Sequence, residues 1–203
     1  MNFEMDKYKI IKSAVKKDFC KFIYDYFFLK KKIADTFFKT KYISPYSLEW
    51  GTWKDGQVNG VYSCYADCLS EILLLNLKSL VEKHSGLELY PNYSYMRIYE
   101  KGSELEKHVD RKSCEVSCTL NIGGDKKWPI FFKTKKEEIS INLNPGDMIL
   151  YKGNELEHWR EPFKGDNCVQ VFLHYSNAKT TDKKTMFDSR PHLGLPEDFI
   201  KYE

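Results

Sequence analysis

The second half of the sequence is a succession of short segments rich in aromatic and β-branched residues. Glycine, proline or Asn-Pro-Gly turns separate them, and segments of this composition are typical of β-strands. From residue 87 they read LELYPNYSYMRIYEKG, CEVSCTLNIG, WPIFFKTK, EEISINLNPGDMILYKG and NCVQVFLHY. At least six strands follow one another without an intervening helix, and this order favours an antiparallel sandwich or barrel.

The first 86 residues have a helical pattern instead. Residues 15–39 predict one or two helices with lysine-rich outer faces, from apolar residues at helical spacings: Phe19, Ile23, Tyr26, Phe27 and Ile33. Residues 67–86 predict a clearer amphipathic helix that ends at Gly86. Its expected apolar stripe consists of Leu69, Ile72, Leu73, Leu77 and Leu80.

The chain of 203 residues is long enough for one domain with a sizeable core. We predict a single α+β, mainly β domain over 1–203. Residues 1–86 are the mainly helical support, 87–175 the β core, and 176–203 a polar, turn-rich C-terminal arm that forms a lid or a surface segment.

The charge pattern limits the partners that the chain is expected to have. The net charge of +3 is spread along the sequence, so we expect no nucleic-acid partner. No apolar stretch approaches the roughly 18 residues that span a bilayer, and the first 20 residues lack the features of a secretory signal. We therefore expect no membrane partner and a cytoplasmic, thiol-reducing setting.

Six cysteines include two pairs at a C-x3-C spacing, Cys64 with Cys68 and Cys114 with Cys118. Such a spacing is compatible with structural zinc, which usually needs tight turns near the thiolates. The preferred interpretation is that Cys68 opens a helix, and that Cys114 and Cys118 lie on one face of a strand.

Three side chains form a candidate metal site. In EKHVDRKSCEVS, His108 and Asp110 are two residues apart on an apparent strand, so they point to the same face. His158 follows a later predicted strand. Two imidazoles and one carboxylate are the donors of a facial triad, which holds Fe(II) and leaves three coordination positions open. The spacing alone is a weak signal, and the alternative is that His108 is a surface residue between basic neighbours.

Two segments make this reading more specific. SYMRIYEKGSELEKHVDR resembles the metal-binding strand of the 2-oxoglutarate and Fe(II)-dependent oxygenases, in the prolyl hydroxylase-like branch. Tyr99, Gly102, His108 and Asp110 fall at the offsets of that branch's motif. PGDMILYKGNELEHWREPFKG resembles the segment that carries the distal histidine, here His158. The similarity covers about residues 87–175.

The resemblance implies a double-stranded β-helix (a jelly roll) with Fe(II) in one open mouth, held by His108, Asp110 and His158. It also implies 2-oxoglutarate as cosubstrate and O2 as oxidant. Tyr99 would line the 2-oxoglutarate pocket, although a core aromatic is the alternative. Asn121, and less surely Thr119, would face the cosubstrate from the next strand.

The sequence departs from the family where a cation usually binds the distal carboxylate of 2-oxoglutarate. The matching places hold Asn167, Cys168 and Val169. Arg97 lies two residues before Tyr99 and Arg160 two residues after His158, so either guanidinium can take this role by bidentate binding. The alternative for each is a salt bridge to a neighbouring glutamate, such as Glu115 or Glu161. Arg111 is expected to point away.

Four further residues have two interpretations each. Gln170 and His174 alternate on the last predicted strand and either bind cosubstrate or substrate or serve as hydrogen-bonded core residues. Trp128 and Trp159 either wall the substrate cleft or simply pack.

The implied reaction is oxidative decarboxylation of 2-oxoglutarate coupled to hydroxylation of an unactivated C–H bond. Asp110 disfavours halogenation, because halide-transferring relatives have a small residue at that place. The substrate is a peptide, a protein or a small molecule, and a peptidyl proline is the first expectation. Two alternatives are a non-catalytic jelly-roll ligand-binding protein and a zinc hydrolase that uses the same three ligands.

Overall fold

The computed structural model describes residues 3–197 and 199. Its N-terminal elements are helix α1 (Phe3–Asp6), strand β1 (Tyr8–Ile11), helix α2 (Lys17–Lys39), strand β2 (Tyr62–Tyr65) and helix α3 (Cys68–Ser85). The strands that follow are β3 (Leu89–Glu100), β4 (Leu105–His108), β5 (Val116–Gly124), β6 (Ile130–Lys133), β7 (Glu138–Ile141), β8 (Met148–Tyr151), β9 (His158–Arg160) and β10 (Asn167–Asn177). A 3-10 segment covers Lys183–Ser189.

Within the described residues the strands form two antiparallel sheets. The larger sheet has the order β1-β8-β5-β10-β3-β2 and the smaller one β4-β9-β6-β7. The two longer helices pack on the larger sheet, α2 against β5 and α3 against β3 and β10. The molecule is therefore mainly β with flanking helices, and its architecture is compatible with the predicted double-stranded β-helix.

Two strands of the larger sheet come from the first 86 residues, which the sequence predicts to be mainly helical. At one edge β1 pairs with β8, and at the other β2 pairs with β3. Each has only four residues, which is too few for an alternating pattern to be recognised in the sequence. The N-terminal part thus supplies sheet edges as well as helical support.

Helix α3 has the predicted bounds but a different buried face. The Asp67 carboxylate accepts hydrogen bonds from the N–H groups of Leu69 and Ser70 and caps the helix start. Gly86 ends the helix with φ at 77°, a left-handed conformation that favours glycine. The buried apolar residues are Leu73, Leu74, Leu77 and Val81, whereas Ile72 is 54% exposed. The predicted stripe was therefore wrong at Ile72, because the underlying sheet selects the buried face.

Helix α2 differs from its prediction in the same way. Its buried residues are Cys20, Ile23, Phe27 and Ala34, whereas Phe19 is 43% exposed. A run of aromatic residues on both sides of the helix does not indicate which side meets the sheet. No helix in the described part of the chain is long and apolar enough to cross a bilayer.

All six cysteines are free thiols. Cys68 is the first residue of α3, as predicted, and is exposed. Cys114 lies in the loop before β5 and Cys118 within that strand, so the expectation that both lie on one strand was wrong. The strand begins two residues later than the sequence pattern indicates.

The C-terminal segment folds back onto the domain. β10 extends to Asn177, beyond the predicted end of the β core. The buried guanidinium of Arg190 pairs with Glu71 of α3 at 2.9 Å, and Tyr65 donates a hydrogen bond to Asp188 at 2.8 Å. The described part of the predicted arm is thus attached to the body, while residues 198 and 200–203 lie outside the described residues.

Candidate metal centre

His108, Asp110 and His158 converge between the two sheets. His108 ends β4 and lies directly opposite His158, which begins β9. Asp110 follows β4 by two residues, and its N–H donates to the Gly153 carbonyl at 2.8 Å. One donor atom from each side chain lies within 4.8 Å of the other two. The predicted cluster is present, although Asp110 reaches it from a loop and not from the strand.

Both histidines present the same nitrogen to this space. Nδ1 of His108 lies 2.8 Å from the Glu106 carbonyl oxygen, and Nδ1 of His158 lies 2.9 Å from that of Leu156. A carbonyl only accepts, so each Nδ1 carries the proton and each Nε2 keeps a free lone pair. The Nε2 atoms lie 3.7 and 3.6 Å from Oδ1 of Asp110. Histidine ligands of metals are commonly oriented in this way.

The charges of the three side chains suit a divalent cation. Burial lowers the pKa of His158 to about 4, so its imidazole is neutral near pH 7. Burial opposes ionisation of Asp110, but contacts with His108, His174, His158 and Ser117 hold its pKa well below the usual value. The pKa of His108 is raised, because the Asp110 interaction outweighs the effect of burial, so a metal ion displaces a proton where this imidazole is charged. The site therefore offers an anionic oxygen beside imidazole nitrogens.

A cavity of about 330 Å³ opens beside the three donors. Tyr151, which no sequence motif indicated, lines this cavity. Its hydroxyl lies 3.5 Å from His158 Nε2 and 3.4 Å from the Thr119 hydroxyl. Arg111 also lines the cavity and donates to Tyr93 at 3.2 Å and to Asp188 at 2.6 Å. The expectation that Arg111 points away was wrong, because the strand ends at His108 and its alternation stops there.

Arg97 reaches the cavity but is fully engaged by protein groups. Its Nε and Nη2 donate to the two carboxylate oxygens of Asp55 at 2.6 and 3.1 Å. Nη2 also donates to Gln57 at 2.6 Å, and Nη1 to the Tyr99 hydroxyl at 3.2 Å. The partner is thus an aspartate from the segment before β2, and not a neighbouring glutamate. Nothing in the pattern of that segment indicates this contact.

Arg160 has a different environment. It is 2% exposed, and its Nη1 donates to the Trp128 carbonyl at 2.6 Å. Among the described residues its Nε has no hydrogen-bond partner, and neither has Oε1 of Gln170. Both side chains line a second cavity of about 200 Å³, together with Asn121 and Cys168. A buried cation with an unused donor therefore faces a polar cavity.

The other predicted cosubstrate residues are buried on the inner side of the larger sheet. Tyr99 packs edge-on against Trp128 with ring centroids 4.7 Å apart. Asn121 accepts a hydrogen bond from Gln170 at 2.9 Å and donates to a backbone carbonyl. Among the described residues, the Thr119 hydroxyl has one hydrogen-bond partner, the Tyr151 hydroxyl. Their roles toward a cosubstrate stay predictions.

The remaining aromatic and polar candidates divide between the two faces. His174 lines the metal cavity and stacks on Tyr93 with centroids 4.5 Å apart. Trp128 lines the second cavity. Trp159 stacks on Phe131 with the Lys107 ammonium 4.0 Å from its ring centroid. Since His158 and Arg160 face inward, Trp159 faces outward, and the packing interpretation applies to it.

No family model and no curated protein matches the sequence. Solved structures match the fold. A prolyl-4-hydroxylase from Pseudomonas putida gives a TM-score of 0.63 at 11% identity, over 86% of this chain and 95% of that one. The viral collagen prolyl hydroxylase vCPH from Paramecium Bursaria Chlorella virus-1, in a 2-oxoglutarate complex, gives 0.59 at 9% identity over 85% and 97%. HygX from Streptomyces hygroscopicus, with nickel and 2-oxoglutarate bound, gives 0.61 at 11% identity over 87% and 85%.

The similarity covers 85–97% of the length of each of these structures. At 9–11% sequence identity it shows the fold alone. The two antiparallel sheets, with a two-histidine, one-aspartate cluster between them, agree with what the sequence motifs imply. The chain has the double-stranded β-helix fold of the 2-oxoglutarate and Fe(II)-dependent oxygenases.

Proposed function

We propose that the protein is an Fe(II)- and 2-oxoglutarate-dependent dioxygenase that hydroxylates an unactivated C–H bond. The observation that carries this proposal is the convergence of His108 Nε2, His158 Nε2 and Asp110 Oδ1 beside a cavity. Two imidazole nitrogens and one carboxylate oxygen suit ferrous iron and leave three of its coordination positions free. When iron, 2-oxoglutarate and O2 are bound, they convert 2-oxoglutarate to succinate and CO2 and insert one oxygen atom into the substrate.

The protein supplies orientation for this chemistry. Backbone carbonyls fix the two imidazoles, as described above, so little reorganisation is needed when metal binds. Burial raises the pKa of Tyr151 well above its ordinary value, so its hydroxyl remains a hydrogen-bond donor beside His158. We propose that this hydroxyl donates to an oxygen atom of the cosubstrate when it is bound.

Arg160 is the residue that we assign to the distal carboxylate of 2-oxoglutarate. It lies two residues beyond His158 on the same inner face of β9, a separation of about 6.7 Å along a strand. Its Nε donor lacks a partner in the described structure, whereas the guanidinium of Arg97 is engaged by Asp55. A buried cation facing a polar cavity is better stabilised when an anion enters it.

Anaerobic titration with Fe(II) and 2-oxoglutarate tests the metal proposal, because chelation of iron by a 2-oxo acid gives a weak visible charge-transfer band. We expect the band in the wild-type protein and its loss in His158→Ala. The matched control is His84→Ala, since His84 lies in the last turn of α3. Succinate formation without the band would contradict the assigned chelation. Zinc-supported hydrolysis without oxygen uptake would favour the hydrolase, and no metal binding would favour a ligand-binding protein.

The anchor is tested by 2-oxoglutarate affinity in metal-loaded protein. Arg160→Ala removes charge-assisted hydrogen bonds, each of which contributes about 1.5–3 kcal/mol. We expect affinity to fall about 10- to 100-fold while Fe(II) binding persists. Arg160→Lys keeps the charge and is expected to recover part of the loss. Arg97→Ala is the comparison, and a loss confined to that variant would move the anchor to Arg97.

The substrate is proposed to be a peptide, a protein or a small molecule, with a prolyl residue as the first candidate. Prolyl hydroxylases among the similar structures support that candidate. HygX, which has also been solved with hygromycin B bound, supports small molecules equally. Mass spectrometry decides between them. Candidate peptides and small molecules are screened for the gain of one oxygen atom when iron, 2-oxoglutarate and O2 are supplied. We further propose a cytoplasmic location, which the six free thiols support.

A further inference from the structure

The two oxygen atoms of the Asp110 carboxylate have different surroundings. Oδ1 is the atom that faces both histidine Nε2 atoms, at 3.7 and 3.6 Å. Oδ2 accepts a hydrogen bond from the Ser117 hydroxyl at 2.5 Å. Only one of the two oxygens therefore faces the space that a metal ion would occupy.

Ser117 in turn contacts His174. The two residues are paired across β5 and β10, and Ser117 Oγ lies 3.0 Å from His174 Nδ1. A serine hydroxyl has a single proton, and Ser117 directs it to Asp110. His174 Nδ1 must consequently donate to Ser117. The result is a directed chain of hydrogen bonds that runs from His174 through Ser117 to the carboxylate.

We infer that Ser117 and His174 are positioning residues that restrict Asp110 to binding the metal through Oδ1 alone. This inference rests on the proposed function. An octahedral ion with three protein ligands has three positions for a chelating cosubstrate and O2. If Oδ2 were free to turn toward the ion, a bidentate carboxylate would occupy one of them. The hydrogen bond from Ser117 opposes that rotation and leaves the position open.

The surroundings distinguish this series of hydrogen bonds from the ordinary pairing of buried polar groups. Ser117 and His174 are both buried and would need some partner in any case. Here, however, the last acceptor is the carboxylate of a candidate metal ligand and not a backbone carbonyl. His174 is also fixed in orientation by its stacking on Tyr93. Loss of the chain should therefore change the metal site more than the stability of the fold.

The test compares metal binding in three variants under anaerobic conditions. Ser117→Ala removes the donor to Asp110. His174→Phe removes the donor to Ser117 but keeps a ring that can stack on Tyr93, whereas His174→Asn keeps an N–H donor near the position of Nδ1. The matched control is Ser94→Ala, which removes a buried hydroxyl from β3 that has no partner in the described structure.

We expect Ser117→Ala to weaken Co(II) and Fe(II) binding about 10- to 100-fold, as is typical when a group that orients a metal ligand is lost. The charge-transfer band of the Fe(II)–2-oxoglutarate complex should also shift. His174→Phe should act in the same direction, His174→Asn should recover most of the wild-type affinity, and Ser94→Ala should leave it unchanged. Thermal unfolding without metal reports any structural effect separately.

The outcomes separate this inference from the proposed function. A wild-type protein that binds no metal overturns the proposed function. A wild-type protein that binds metal, together with a folded Ser117→Ala variant of equal affinity and unchanged band, overturns the positioning role alone. If Ser117→Ala does not fold, the two His174 variants provide the test. Equal metal binding by His174→Phe and His174→Asn would then overturn the positioning role.

Discussion

Gly153→Ala is expected to disrupt the metal centre by adding one methyl group. Gly153 follows β8, and a Cβ on it would lie 2.2 Å from Ser117 Oγ, 2.3 Å from Asp110 Oδ2 and 2.9 Å from the Cys114 carbonyl oxygen. Ordinary contacts begin near 3.4 Å, so the carboxylate and the hydroxyl must each move by about 1 Å, as crowding in a packed interior requires. The backbone of Gly153 is not in the left-handed region, so the effect comes from this contact.

Crowding of this kind costs about 1–3 kcal/mol in the free energy of unfolding. Displacement of a ligand with its hydrogen-bond donor should weaken metal binding by about 10- to 100-fold. Anaerobic Co(II) titration measures the second quantity, and urea unfolding of the metal-free protein measures the first. The control is Gly56→Ala, which adds the same methyl group at the same cavity but meets nothing within 4 Å. A folded Gly153→Ala protein with wild-type metal affinity would refute the reasoning.

Two further predictions concern stability. Asp55→Ala leaves the buried guanidinium of Arg97 without its carboxylate partner, so we expect the free energy of unfolding in urea to fall by about 3–5 kcal/mol. Asp35→Ala, which removes one partner of an exposed helix pair, should change it by less than about 1 kcal/mol, and equal effects would contradict this. Asp147 accepts from Lys12 at 2.8 Å and has a lowered pKa, because its hydrogen bonds outweigh burial. The stabilisation by ionised Asp147 is fully present above the unfolded pKa of about 4 and is lost as pH falls through the folded pKa. The difference in unfolding free energy between wild type and Asp147→Asn should therefore shrink between pH 7 and pH 3. A constant difference would exclude the mechanism.

The sequence predicts the parts of the fold that have a repeating or capped pattern. The strands from residue 87 onward alternate or run apolar between recognisable turns, and α3 is bounded by Asp67 and Gly86. The three candidate metal ligands are predictable because two of them are close in sequence and the third lies in a segment with its own family resemblance. Each of these features depends on residues that are close together in the chain, so it can be recognised from a single sequence.

The rest depends on contacts between distant parts of the chain. Asp55 and Arg97 are 42 residues apart, and neither has a local pattern that indicates the other. β1 and β2 acquire strand geometry from the sheet edges that they join. Arg111 enters the cavity because β4 ends at His108, and where a strand ends is decided by its neighbour β9. Each of these features requires the packed structure.

The order of residues along β5 and β10 bears on the proposal that Arg160 replaces the cation that is missing from the usual anchor position. Along β5 and β10 the paired inner residues change from Ser117 and His174 near Asp110, through Thr119 and Phe172, to Asn121 and Gln170. The last pair lines the same small cavity as Arg160, which comes from the opposite sheet. A carboxylate at that depth is therefore accessible to donors from both sheets. If Arg160 is the anchor, as proposed, the cation has moved from β10 to β9, the strand that begins at His158.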